Sequence, residues 1–189
     1  GEKDKDGVQI LDVTILGSGN IGTEMFLSTY WFGQILDCKL NINIISKESE
    51  EEFWNRIDYI NPEIRHTTIK DDPILIYNRK GDKSEVYCTV KYIPCDVKSS
   101  EFINCLKNPE KGILNTDYFL VALGSDEENI SVANIIRRYI GEHHINQKKY
   151  DKTIIAYVVY NSELADTLNQ KKYFKHAKDN VDVYMQAVG

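Results

Sequence analysis

The sequence predicts an α/β fold built on a doubly wound, mostly parallel sheet. Three observations predict it. Short, nearly continuous apolar runs recur along the chain, and segments with helical spacing of apolar residues lie between them. A glycine-rich turn joins the first run directly to the first helical segment. Strands buried on both faces read as such runs, and their alternation with helices implies βαβ units with right-handed crossovers.

The elements follow in order. Leu11 to Leu16 (LDVTIL) is the first strand, and Ile21, Met25, Phe26, Leu27, Tyr30, Trp31 and Ile35 mark the helix after it. Leu40 to Ile45 (LNINII) is the second strand. Lys47 to Ile93 is then too long for a single crossover. Its first part, SKESEEEFWNRIDYI, reads as a helix with carboxylates near its N-terminus, ended by Asn61-Pro62. Pro73 to Tyr77 (PILIY) and Glu85 to Ile93 (EVYCTVKYI) flank the polar NRKGDKS, which is a hairpin signal with a longer loop. The second hairpin strand is expected to join the main sheet in parallel, with PILIY as an antiparallel addition. This helix-plus-β-hairpin insertion occupies about residues 47–92. Tyr118 to Leu123 is a further strand, followed by a helix marked by Ile130, Ala133, Ile136, Arg137 and Ile140. Thr153 to Tyr160 is the next strand, Ser162 to Leu168 a short helix with Ser162 as N-cap, and Val181 to Met185 a last, weaker strand.

Composition bounds the function. A chain of 189 residues is about one domain, and no repeat, low-complexity tract or linker divides it. It opens on Gly1 rather than Met and is expected to be part of a longer protein. A net charge of −6 lacks the basic footprint of a nucleic-acid binder. No apolar run approaches the roughly 20 residues of a membrane span, and residues 1–7 do not resemble a secretory signal. The four cysteines (Cys38, Cys88, Cys95, Cys105) show no CxxC spacing, which argues against zinc and against a disulfide framework. They fit a reducing, cytoplasmic setting.

Gly17-Ser18-Gly19-Asn20-Ile21-Gly22 satisfies GxGxxG directly between a strand and a helix. In that context Gly17 permits the tight turn, Gly19 keeps side-chain atoms off a pyrophosphate, and Gly22 lets the helix pack on the strand. Helix-start N–H groups then receive phosphates. The alternative is a glycine turn that binds nothing. The turn makes the predicted fold Rossmann-like. Such folds place an acid at the second strand tip to grip a ribose. Here the tip reads Ser46-Lys47-Glu48. Ser46 is suited to a ribose hydroxyl and Lys47 to a 2′-phosphate, which tilts the expectation towards NADP or a mononucleotide. Glu48 reaches the ribose only if the strand ends later than read. Lys47 and Glu48 otherwise form a solvated helix start.

With the loop placed, later segments carry a resemblance. IPCDVKSSEF (Ile93 to Phe102), NTDYFLVALGSDEENISVAN (Asn115 to Asn134) and TIIAYVVYNSELADTLN (Thr153 to Asn169) resemble the strand–turn–helix segments of the TrkA-N or RCK (regulator of potassium conductance) domains. The resemblance covers about two thirds of the chain. It does not extend across Lys47 to Tyr92, nor to Ser46, where the family commonly has an acid. It implies a cytoplasmic ligand-sensing domain that binds NAD, NADP or an adenine nucleotide. Asp96 and Val97 would then stand at the adenine, with Leu123, Gly124, Ser125, Asp126 and Asn129 on the matching turn and helix start. It also implies a homodimer whose signal passes to an attached output domain, such as a membrane transporter in potassium transport.

Few other residues carry a pattern with chemical meaning. Tyr87 and Lys91 form a YxxxK pair, but on a strand rather than on the late helix where short-chain dehydrogenases carry it. His143-His144 reads as an exposed pair following a helix that ends near Gly141, and His66 and His176 stand alone. Cys95 reads as a buried small residue beside Asp96, and Ser125 or Asp126 as a helix cap. Tyr30-Trp31 reads as core or a dimer contact. No supported catalytic residue emerges. Regulatory nucleotide binding is the leading expectation. The alternatives are an NAD(P)-dependent oxidoreductase fragment and a protein-interaction module with a vestigial pocket, whose hairpin edge could mediate dimerisation.

Overall fold

The structure, a computed structural model, describes residues 3–64, 66–69, 71–77, 86–108, 110–147, 153–170 and 183–188. Strand β1 (Ile10–Leu16) leads into helix α1 (Asn20–Ile35), strand β2 (Lys39–Ser46) and helix α2 (Glu50–Ile60). Strands β3 (Ile74–Tyr77) and β4 (Val86–Pro94) follow, then helix α3 (Ser100–Lys107) and a 3₁₀ turn at Ile113–Asn115. The second half runs β5 (Tyr118–Val121), α4 (Asp126–Gln147), β6 (Thr153–Val158), α5 (Ser162–Gln170) and β7 (Val183–Val188).

The strands form one seven-stranded sheet in the order β3-β4-β2-β1-β5-β6-β7. Every pairing is parallel except β3 with β4, which is antiparallel. The chain winds outward from β1 through β2 to β4, returns to the other side of β1, and winds outward again from β5 to β7. Both faces carry helices. On one, Val13, Ile15, Ile42, Ile44 and Val90 pack with Phe26, Phe53 and Trp54 of α1 and α2. On the other, Phe119, Val121, Ile155 and Tyr157 pack with Phe102, Ala133 and Ile136 of α3 and α4. This mixed α/β architecture is compatible with a Rossmann-like fold.

Local signals explain the elements. Ser49 and Glu52 close a capping box on α2, each side chain taking the other's backbone N–H at 3.2 Å. Glu50, Glu51 and Glu52 face the positive end of the helix dipole. Phe26 then meets Phe53 and Trp54 edge-on, at centroid distances of 5.4 and 5.8 Å, and ties α2 to α1. Such pairs add about 0.5–1.5 kcal/mol each beyond their burial. Helix α1 is different: it carries a single charge, Glu24, and leaves Phe32 and Ile35 exposed, followed by exposed Leu36.

Several expectations are corrected. β2 is not apolar on both faces, because Asn41 is exposed and bonds Asp12 through its amide N–H (3.0 Å), while half-buried Asn43 reaches Thr14. α4 does not end near Gly141 but continues to Gln147, so His143 and His144 lie within it. The cap of α5 is Asn161, whose side-chain oxygen accepts the Leu164 N–H at 3.0 Å, and Ser162 is already helical. His66 does not stand alone: its Nε2 is 2.9 Å from Asp58 Oδ1. The hairpin turn at 78–84 and His176 lie outside the described residues. No helix among the described residues is long and apolar enough to cross a membrane.

Candidate functional site

The carboxyl ends of β1, β2, β4 and β5 surround a cleft of about 820 Å³. It opens beside β1, where the winding direction of the sheet reverses, and open α/β sheets bind ligands at such switch points.

The β1–α1 turn forms the floor. Gly17 adopts φ +95°, and a Cβ there would lie 2.2 Å from the Ala122 carbonyl oxygen at the end of β5. A Cβ on Gly22 would lie 2.0 Å from the Gly17 carbonyl oxygen. Strand and helix therefore meet backbone to backbone, and these two glycines are demanded by the fold. Gly19 is not. Its φ is −63°, and a Cβ there would meet nothing within 4 Å. Gly19 is also the N-cap of α1, which has no side-chain cap and no acidic residue in its first turn. The helix start thus keeps its positive end uncompensated.

Ser18 points the other way, into the interior, at 1% exposure. Its Oγ lies 2.6 Å from Glu48 Oε2, 2.9 Å from Ser46 Oγ and 2.9 Å from the Tyr92 hydroxyl. Glu48 is held from every side. Its N–H donates to Ser46 Oγ (3.1 Å), its carbonyl accepts from Tyr92 (3.0 Å), and its Oε1 accepts from the Arg56 guanidinium. Arg56 also donates to the Ser18 carbonyl, and at 3.0 Å to Thr23 Oγ1. Burial pushes the Tyr92 phenol above its ordinary pKa, so it stays a neutral donor. This network fastens the underside of the glycine turn to β2 and α2.

The opposite wall comes from β4 and β5. Cys95 and Val97 are buried and line the cleft with exposed Asp96 and Lys98. Burial holds the Cys95 thiol above its usual range. Asp96 Oδ1 accepts the Lys98 N–H at 2.9 Å, which shapes the entry to α3. Buried Asn129 clamps the turn after β5: its Oδ1 accepts the Leu123 N–H at 2.6 Å. Tyr160 donates to the Leu123 carbonyl at 2.9 Å. Lys98 and Glu128 form an ion pair across this side of the cleft, which lowers the Glu128 pKa and raises that of Lys98.

Of the residues singled out in sequence, Gly17, Ser18, Gly19, Asn20, Ile21, Ser46, Lys47, Asp96, Val97, Leu123 and Gly124 all border this cleft. Gly22 and Ser125 do not. Gly22 is used against Gly17, and Ser125 caps α4 by accepting the Glu128 N–H at 3.3 Å. Asp126 instead accepts the Tyr160 and Asn161 N–H groups at 2.6 and 3.2 Å. Sequence reasoning missed Arg56, Tyr92, Lys98, Glu128 and Tyr160. Tyr87 is remote in role: its hydroxyl donates to the Tyr30 carbonyl of α1 at 3.2 Å, and it does not line the cleft. In comparisons with known proteins, neither a family model nor a curated protein matches the chain.

Proposed function

We propose that the cleft binds an adenine nucleotide, NAD or NADP in class, and that the protein is a regulatory, ligand-sensing domain of the TrkA-N/RCK type. In that frame α2 and the β3–β4 hairpin are an insertion, and the output passes to an attached partner. The observation that carries the reading is Gly19. The fold has no steric use for a glycine there, yet the position stands at an uncapped helix start facing a cleft. A phosphate that approaches the backbone gives that glycine a use. The volume of about 820 Å³ suits a dinucleotide-sized ligand. Buried Val97 and Ile45 with half-buried Leu123 suit a flat base, and the turn suits the pyrophosphate.

An oxidoreductase reading has less support, since Tyr87 of the YxxxK pair is committed to α1. A partner-binding module with a vestigial pocket has one observation in its favour, the exposed apolar side chains of Phe32, Ile35 and Leu36. A thermal-shift panel with NAD, NADH, NADP, NADPH, ATP, ADP and AMP separates the readings. A ligand of the folded state at about a hundredfold excess over Kd stabilises by about 2.7 kcal/mol. The expected result is a shift that Gly19→Asp abolishes while the variant itself stays folded, because Asp is a good N-cap and a poor neighbour for phosphate. Absence of any shift at millimolar nucleotide would reject the nucleotide reading and put the partner-binding module first.

A further inference from the structure

The β2 tip carries information about which ribose the cleft accepts. This step rests on the nucleotide reading above. An unmodified adenosine ribose presents two hydroxyl donors and needs an acceptor at the end of the second strand, usually a carboxylate. The last residue of β2 is Ser46, whose buried Oγ already accepts the Glu48 N–H at 3.1 Å. The carboxylate of the tip itself, Glu48, borders the cleft but is engaged from within. Its Oε2 faces Ser18 Oγ at 2.6 Å, with Arg56 Nη1 at 3.5 Å, and its Oε1 takes the other guanidinium nitrogen. Its own main chain is pinned at both ends by Ser46 and Tyr92. Turning Glu48 outward to a diol would strand a half-buried guanidinium and break a charge-assisted pair.

What faces outward is Lys47. It is exposed, borders the cleft, and makes no ion pair among the described residues. Glu128, which borders the same cleft, is paired with Lys98. The tip therefore turns a cation to the cleft, while its carboxylate is committed to Ser18 and Arg56. We infer that the β2 tip selects a ribose bearing a phosphate on its 2′-hydroxyl, so that the site takes the NADP(H) class over NAD(H). A phosphate monoester brings close to two negative charges and three acceptor oxygens, and an ammonium on a flexible stem is a suitable partner for it.

The test is calorimetric titration of the full chain with NADPH, NADH, 2′,5′-ADP and AMP, repeated on Lys47→Ala and Lys47→Arg. The expected result is NADPH tighter than NADH, and 2′,5′-ADP tighter than AMP, each by at least about tenfold. The preference falls as salt rises, collapses in Lys47→Ala, and survives in Lys47→Arg. Circular dichroism of Lys47→Ala checks that the fold is retained. Equal affinities, or tighter NADH, would overturn the inference and leave the nucleotide reading standing. A preference that persists in folded Lys47→Ala would equally overturn it. No binding of any of the four would sink both.

Discussion

Three glycines in one turn have three different reasons to be glycine, and alanine at each separates them. At Gly17 the new Cβ would sit 2.2 Å from the Ala122 carbonyl oxygen, over 1 Å inside an ordinary contact, and the residue holds φ +95°. Left-handed backbone costs an L-residue about 1–2 kcal/mol. Forcing a methyl into a packed site adds about 1–3 kcal/mol. Gly17→Ala should therefore lose about 2–5 kcal/mol. Gly22→Ala meets the Gly17 carbonyl at 2.0 Å without the φ penalty, so about 1–3 kcal/mol is expected. At Gly19 the methyl meets nothing within 4 Å. The entropy of the unfolded chain favours alanine by about 0.4–1 kcal/mol, and the poorer N-cap offsets it, so stability changes by under about 1 kcal/mol. Urea unfolding of the four proteins measures the first quantity, and nucleotide titration the second. The expected pattern is that only Gly19→Ala keeps wild-type stability while losing nucleotide affinity by tenfold or more. A Gly19→Ala variant as unstable as Gly17→Ala, or one that binds like wild type, would refute the division of labour.

Other perturbations follow from the same structure. Arg56→Ala leaves Glu48 and the Ser18 carbonyl without their donor; with both side chains about a quarter exposed, a loss of about 1–2 kcal/mol in urea unfolding is expected. Arg56→Lys should recover only part of it, since one ammonium cannot replace two directed nitrogens. Ser49→Ala removes the capping box of α2 and should cost about 1 kcal/mol. Burial drives the Cys88 thiol far above its ordinary pKa. The folded state then keeps a proton that the unfolded state sheds, so this contribution is intact below about pH 8.5 and falls as pH rises beyond it, by up to about 1.4 kcal/mol per pH unit. Thermal melts across pH 7 to 10.5 on wild type and Cys88→Ala check this; an identical alkaline slope in both would show that Cys88 is not its source.

The legible parts of the molecule were those written in contiguous residues. The glycine turn was one, because strand, turn and helix start are adjacent in sequence. Helix α2 was another, since its leading carboxylates and Asn61-Pro62 mark both ends locally, although the Ser49 cap was not among the signals read. The cap of α5 was misread by one position because Asn161 and Ser162 are both good caps, and only the bond to Leu164 decides. The length of α4 was misread because Gly141 looked like a stop, whereas the helix carries on through it. Least legible was the network beneath the turn. Arg56 reaches the Ser18 carbonyl across 38 residues, and Tyr92 reaches Ser18 Oγ across 74. Such partners come from chain winding, and no local pattern encodes them.

That network also has a kinetic meaning. Because Ser18 is fastened from below by Glu48, Arg56, Ser46 and Tyr92, the glycine-turn side of the cleft is a socket already in shape. A ligand seating there spends little ordering entropy and waits for no loop to close, so association runs at the ordinary encounter rate and affinity resides in the dwell time. At the mouth of the far wall, exposed Lys98 and partly exposed Glu128 add a surface ion pair above the buried packing of α3 on α4. A surface pair is worth about 0–1 kcal/mol, an amount that one ligand contact can outweigh.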